Sequence, residues 1–163
     1  MKTVAGLELI ASASATVGQF RTFTRISPAP HILMPRRDYS EDEDFYTQDF
    51  RSPGEVSIWL GYSQDVDQSI DVLQDLCGVG YYSLDEQEAN CFSFELTKVE
   101  RLLEEISCAA SFAAAAVRAA ENRKLSEARW ITVQFDFAYA PKRVIRPIAV
   151  DPIFLGVFRY STE

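Results

Sequence analysis

Histidine is almost missing from this 163-residue chain: His31 is the only one, and it stands among Pro28, Pro30 and Pro35. A Ser-His-Asp or Cys-His arrangement would have to be built on that one residue, so His31 is read as a loop-packed or surface imidazole and no catalytic residue is expected. Cysteine is scarce too. Cys77, Cys91 and Cys108 are an odd number without C-x-x-C spacing, which argues against a disulfide framework and against a zinc site and fits a reducing cytoplasm. No run approaches the ~20 apolar residues of a membrane span, and Glu8 interrupts the only candidate export signal, after Lys2. A soluble, cytoplasmic protein without membrane contact is expected. Glycine-rich phosphate loops are absent as well: Gly78-Val79-Gly80 is too short for a dinucleotide fingerprint and follows a helical pattern, where that fingerprint follows a strand. The carboxylates of Asp65, Asp67, Asp85, Glu86 and Glu88 lack EF-hand spacing, so neither a metal nor a cofactor is expected.

The most informative shortage is of positive charge. From Asp38 to Thr97 fifteen acidic residues accompany a single basic one, Arg51, so this stretch carries −14 in a chain whose net charge is −8. Nucleic acid is excluded as a ligand of this stretch, because phosphate backbones need Lys and Arg to displace their counterions. A one-sign surface repels itself, but it steers a partner of opposite sign and speeds association. A basic protein partner is the expectation.

What is present is enough apolar residue, 47%, for one domain with a real core. Residues 1–54 read as an N-terminal extension, partly extended around Gln19 to Ile26 and ending in the acidic loop Asp38 to Asp49. Pro53-Gly54 marks the expected boundary to a domain over 55–163. Val56 to Tyr62 alternates as a strand, and Trp130 to Phe137 does so as a half-buried one, with Ile131, Val133, Phe135 and Phe137 on the inner face. Val66, Ile70, Leu73 and Cys77 recur at helical spacing, which predicts a helix over about 64–77 stopped by Gly78. Thr97-Lys98-Val99-Glu100 matches a capping box and predicts a second, long helix over about 98–122. Its apolar face would run Val99, Leu102, Leu103, Ile106, Ala110, Ala113, Val117 and Ala120. Val79 to Ser83, Cys91 to Leu96, Arg143 to Val150 and Ile153 to Tyr160 are further strand candidates. The fold class expected is α+β, a largely antiparallel sheet packed against two main helices.

On the first of those helices Asp67, Asp71 and Asp75 would form one line opposite the apolar stripe, a like-charge ridge costing about 0.2–0.5 kcal/mol per pair. With no Lys or Arg between Arg51 and Lys98 to balance it, the ridge is read as part of a partner-binding surface. Asp42, Asp44 and Tyr46 in the acidic segment, and Tyr82, Asp85, Glu86 and Glu88 around the acidic turn, complete the candidate set, with tyrosine as a potential interface anchor.

Several of these segments together resemble a known family. Glu55-Val56-Ser57-Ile58-Trp59-Leu60-Gly61, the expected acidic helix after it, the Tyr82 to Glu88 acidic turn, Phe135-Asp136-Phe137-Ala138-Tyr139 and Phe154-Leu155-Gly156-Val157-Phe158-Arg159-Tyr160 are similar to the immunity-protein family numbered twenty-two of bacterial polymorphic toxin systems, over about residues 55–160. Tyr62-Ser63 departs from the polar-aromatic pair of Asn and Phe type expected after the first strand, and residues 1–54 have no counterpart. The resemblance implies a cytoplasmic antitoxin, encoded beside a toxin often delivered by contact-dependent or type VI machinery, that acts by stoichiometric binding without catalysis. A toxin that cleaves nucleic acid would present the basic cleft such an acidic surface covers. A secretion adaptor or chaperone for a basic effector shares the same surface and remains the alternative, with a small enzyme behind it.

Overall fold

A computed structural model describes residues 48–162. Asp42, Asp44, Tyr46, His31 and the expected extended segment near the N-terminus lie outside the described residues. The α+β class holds: an antiparallel four-stranded sheet is accompanied by a two-stranded ribbon and short helices.

The sheet has the order β2-β5-β1-β6, with β1 at Arg51–Gly61, β2 at Gln87–Cys91, β5 at Trp130–Phe137 and β6 at Ile153–Arg159. The ribbon pairs β3, Thr97–Lys98, with β4, Glu127–Ala128. Helix α1 spans Val99–Leu103 and α2 spans Ala109–Asn122.

Both faces of the sheet are covered. Val56, Ile58 and Leu60 of β1 and Ile131, Val133 and Phe135 of β5 pack under the helices with Leu102, Phe112, Ala116 and Ala120. On the opposite face Trp59 and Trp130 meet Val72 and Leu73 of a short π turn and Val66, Cys77, Val79 and Tyr139 of irregular chain. Each fully buried Val, Leu, Ile or Phe among these contributes about 1.5–3 kcal/mol. The half-buried strand expected at Trp130 to Phe137 is thus buried on both faces. It lies between β2 and β1 and carries Thr132 and Gln134 into the second core layer. A side chain at Gly61 would overlap the Trp130 indole, so only glycine fits where the two strands meet.

Four local expectations are corrected. The expected boundary Pro53-Gly54 falls inside β1, where the register against β5 shifts between Arg51 and Val56. Gly54 takes a positive φ of 78° there, and its N–H donates to Asp136 Oδ1 at 2.8 Å. The helix over 64–77 is a single π turn, Val72–Leu76, preceded by irregular chain; its stop at Gly78 holds, with φ 68° and Val79 N–H bonded to the Leu73 carbonyl. The reason is local competition: Asp67 and Asp71 accept hydrogen bonds from backbone N–H groups two and three residues on, which turns the chain instead of continuing a helix. The long helix is broken into α1 and α2, because Cys108 enters the left-handed region at φ 55°. Thr97 is no cap; its hydroxyl donates to the Glu95 carbonyl while its backbone pairs with Ala128. The break rotates the apolar face, so Phe112 and Ala116 are buried and Ala110 is exposed.

The fourth correction concerns strands. Of the candidates, Ile153 to Tyr160 forms β6, whereas Arg143 to Val150 is irregular after the turn Pro141–Arg143. Cys91 to Leu96 forms no strand beyond Cys91, and the short strand of this region starts instead at Gln87, within the expected acidic turn. Val79 to Ser83 forms no strand, and its backbone is held by side chains instead.

Candidate functional site

A β-prone segment without a strand partner must satisfy its backbone elsewhere. Cys77 to Ser83 does so through side chains. The Tyr139 hydroxyl donates to the Cys77 carbonyl at 2.6 Å and Arg146 to that of Val79 at 3.3 Å. The Gly80 N–H donates to Gln48 Oε1 at 2.7 Å, while Gln74 Nε2 donates to the Gly80 carbonyl at 3.1 Å. Gln134 Nε2 reaches the Ser83 carbonyl at 2.8 Å. Five side chains, all but Gln74 from distant parts of the chain, thereby hold one segment in place.

Acidic residues flank this clamped segment. Before it, Asp71 caps the π turn: Oδ1 accepts the Gln74 N–H at 2.9 Å, and Oδ2 accepts the Tyr82 hydroxyl at 2.6 Å. Asp75 Oδ2 accepts the Asp71 N–H at 2.8 Å. After it, the 3₁₀ turn Leu84–Glu86 leaves Asp85 and Glu86 exposed with Leu84 between Ser83 and Asp85, 71% exposed. Asp67 is exposed, and its Oδ1 accepts both the N–H and the hydroxyl of Ser69 at 2.8 Å.

Of the ten residues singled out from the sequence, the structure thus joins Asp71, Asp75 and Tyr82 in one hydrogen-bonded unit. Asp85 and Glu86 stand three and four residues beyond Tyr82, and Asp67 lies in the preceding loop, where it binds Ser69. The straight ridge of Asp67, Asp71 and Asp75 does not exist, because the helix that would line them up is absent. Glu88 belongs elsewhere: it points to the helical face and accepts the Ser107 N–H at 2.8 Å, between α1 and α2. Asp42, Asp44 and Tyr46 are outside the described residues.

Positive charge near this unit is already engaged. Arg51 binds Asp49 at 2.8 Å through its guanidinium, which holds the Asp49 carboxyl down at about 2. Besides that pair, Arg101 with Glu104 is the other ion pair among the described residues, and it lies on α1. Asp85 and Glu86 form none.

Sequence reasoning missed Leu84, which is exposed at the acidic turn beside Tyr81. Its signal was a large apolar residue next to Asp85, between the expected strand Val79 to Ser83 and the acidic turn. Gln48, Gln74 and Gln134 gave no signal, since glutamine is equally at home on a surface.

Burial pushes the thiols of Cys77 and Cys91 up, away from the thiolate that nucleophilic attack requires. Among the described residues no group of three His, Cys, Asp or Glu side chains is placed to hold a metal ion, and no helix is long and apolar enough to cross a membrane. No family model, curated protein or solved structure matches the chain.

Proposed function

We propose that this protein is an antitoxin of the immunity type, which neutralises a basic toxin by stoichiometric binding and has no catalysis of its own. The observation that carries this reading is the pre-ordered acidic face: the Asp71, Asp75 and Tyr82 unit, held against a side-chain-clamped segment that leads into exposed Leu84, Asp85 and Glu86. A face ordered before binding loses little conformational freedom on association, and its single sign steers a cationic partner. Leu84 and Tyr81 supply apolar contacts amid the carboxylates. The sequence resemblance to polymorphic-toxin immunity proteins points the same way. The toxin's active-site cleft is basic in this reading, as that of an enzyme cleaving nucleic acid would be, and the acidic face occludes it in the cytoplasm of the producing cell.

The test is affinity capture of the tagged protein from its native host at low and high salt, followed by expression of the captured partner alone and together with this protein. A stoichiometric basic partner that kills cells alone and is harmless in combination supports the proposal. A partner harmless on its own replaces it with the secretion-adaptor reading, and the lack of any stoichiometric partner removes the binding function.

A further inference from the structure

The stretch expected as a strand over Arg143 to Val150 fails to form one because its inward contacts are irregular. Val144 and Arg146 lie against Gly78, and Arg146 Nη1 donates to the Val79 carbonyl. Further on, the Ala149 N–H donates to the Leu76 carbonyl at 2.7 Å. At its end the Asp151 carboxylate accepts the N–H groups of Tyr62 and Ser63 at 2.8 and 2.9 Å. The loop is therefore fastened at several points, yet it turns aliphatic side chains to solvent: Ile145 is 76% exposed, Ile148 45% and Val150 95%. Isolated exposed aliphatics need no explanation, but three within six residues on a fixed loop mark a contact surface.

Charge is distributed unequally along this loop. Its beginning carries Lys142 and Arg143, both exposed; Arg143 donates to the Asp49 carbonyl at 3.1 Å and lies over the Phe50 ring, whereas Lys142 forms no ion pair among the described residues. Its end is tied to Ser63, after which come the exposed Asp65 and Asp67. The surface thus runs from basic through apolar to acidic. A wholly basic partner would be repelled at one end and a wholly acidic one at the other. A second copy related by a two-fold axis through the middle satisfies both ends, each pairing being made twice.

We infer that the Lys142 to Val150 loop is the contact face of a symmetric homodimer, with Ile145, Ile148 and Val150 at its centre and Lys142 of each copy opposite Asp65 of the other. This face is separate from the Tyr82 to Glu86 face proposed to meet the toxin, and the inference does not depend on that proposal.

Sedimentation equilibrium of the full chain over a concentration series, at low and high salt, tests it. The expected result is a monomer–dimer equilibrium weakened by salt. Ile145→Asp with Val150→Asp raises the dimer dissociation constant roughly tenfold or more, with the circular dichroism of the fold unchanged. Lys142→Glu weakens the dimer severalfold, and adding Asp65→Lys restores it. A monomer at all concentrations up to millimolar overturns the inference. So does a dimer indifferent to Ile145→Asp and Val150→Asp, or one abolished instead by Asp85→Lys and Glu86→Lys.

Discussion

The Tyr82 hydroxyl donates to Asp71 Oδ2 at 2.6 Å, while the other oxygen of the same carboxylate caps the turn that follows it. One acidic side chain therefore connects the π turn to the segment leading into the acidic tip, and the two partners contribute unequally. Tyr82→Phe removes a hydrogen bond to a charged group and is expected to cost about 1.5–3 kcal/mol, less solvent screening. Asp71→Ala loses that bond and the cap, worth about 0.5–2 kcal/mol more. Urea unfolding of both variants checks the order; equal losses would mean that the cap contributes nothing.

The same geometry decides where charge reversal is informative. Asp71 and Asp75 are structural as well as acidic, so Lys at either position disturbs the turn. Asp85 and Glu86 are exposed on a 3₁₀ turn, and neither forms an ion pair among the described residues. Asp85→Lys with Glu86→Lys is expected to change stability by no more than about 0.5 kcal/mol. If the immunity proposal holds, it slows toxin association and flattens the dependence of the on-rate on salt, as stopped-flow mixing would show. An on-rate equal to that of the wild type removes the steering role.

Gly61→Ala is the sharpest packing test, because the new methyl would overlap the Trp130 ring across the β1–β5 pair. Overpacking of this kind costs about 1–3 kcal/mol, occasionally more, since both residues are buried in a central strand pair. The thermal midpoint should fall while m stays unchanged. A neutral result would show that Trp130 has another rotamer available.

Alkaline pH probes the opposite end of the sheet. Burial, reinforced by its hydrogen bond to Asp136, pushes the Tyr160 hydroxyl up to about 12, and burial raises Tyr139 as well. The folded state holds these protons more tightly than the unfolded chain, whose tyrosines titrate near 10. Their contribution is complete below about 10 and lost as pH rises towards 12. Denaturation curves measured across that window should show falling stability, and Tyr160→Phe should reduce the fall.

Thiol labelling separates the three cysteines. Cys77 and Cys91 are buried with raised pKa values, whereas Cys108 is half-buried at the start of α2. Under native conditions Cys108 is expected to take up a maleimide first, as read by mass spectrometry; Cys77 modified at the same rate would mean that the second core layer opens readily.

The sheet was legible where local and tertiary demands agree. Val56 to Gly61 and Trp130 to Phe137 alternate as strands and are strands, though their central position, which buries Ser57, Thr132 and Gln134, depends on neighbours that no local pattern encodes. Of the stripe Val66, Ile70, Leu73 and Cys77 all but the half-buried Ile70 are buried as expected, but the wrapping of a loop over Trp59 and Trp130 does that as well as a helix would. In that stretch aspartates at positions 67 and 71 bond to backbone, and propensity yields to side-chain capping. Of the candidate site, the acidity of 71–86 was legible and its linkage was not, because the bond between Tyr82 and Asp71 and the glutamine clamps are tertiary.

That clamp also sets an order of events. Besides the local Gln74, the side chains that hold Cys77 to Ser83 come from Gln48, Gln134, Tyr139 and Arg146. Contacts so widely spaced along the chain form only after the long loops between them have closed. A chain still being synthesised therefore has no ordered acidic turn until Arg146 has been added and β5 is in place. The acidic turn is thus completed late and all at once, so a truncated or half-folded copy would not display it.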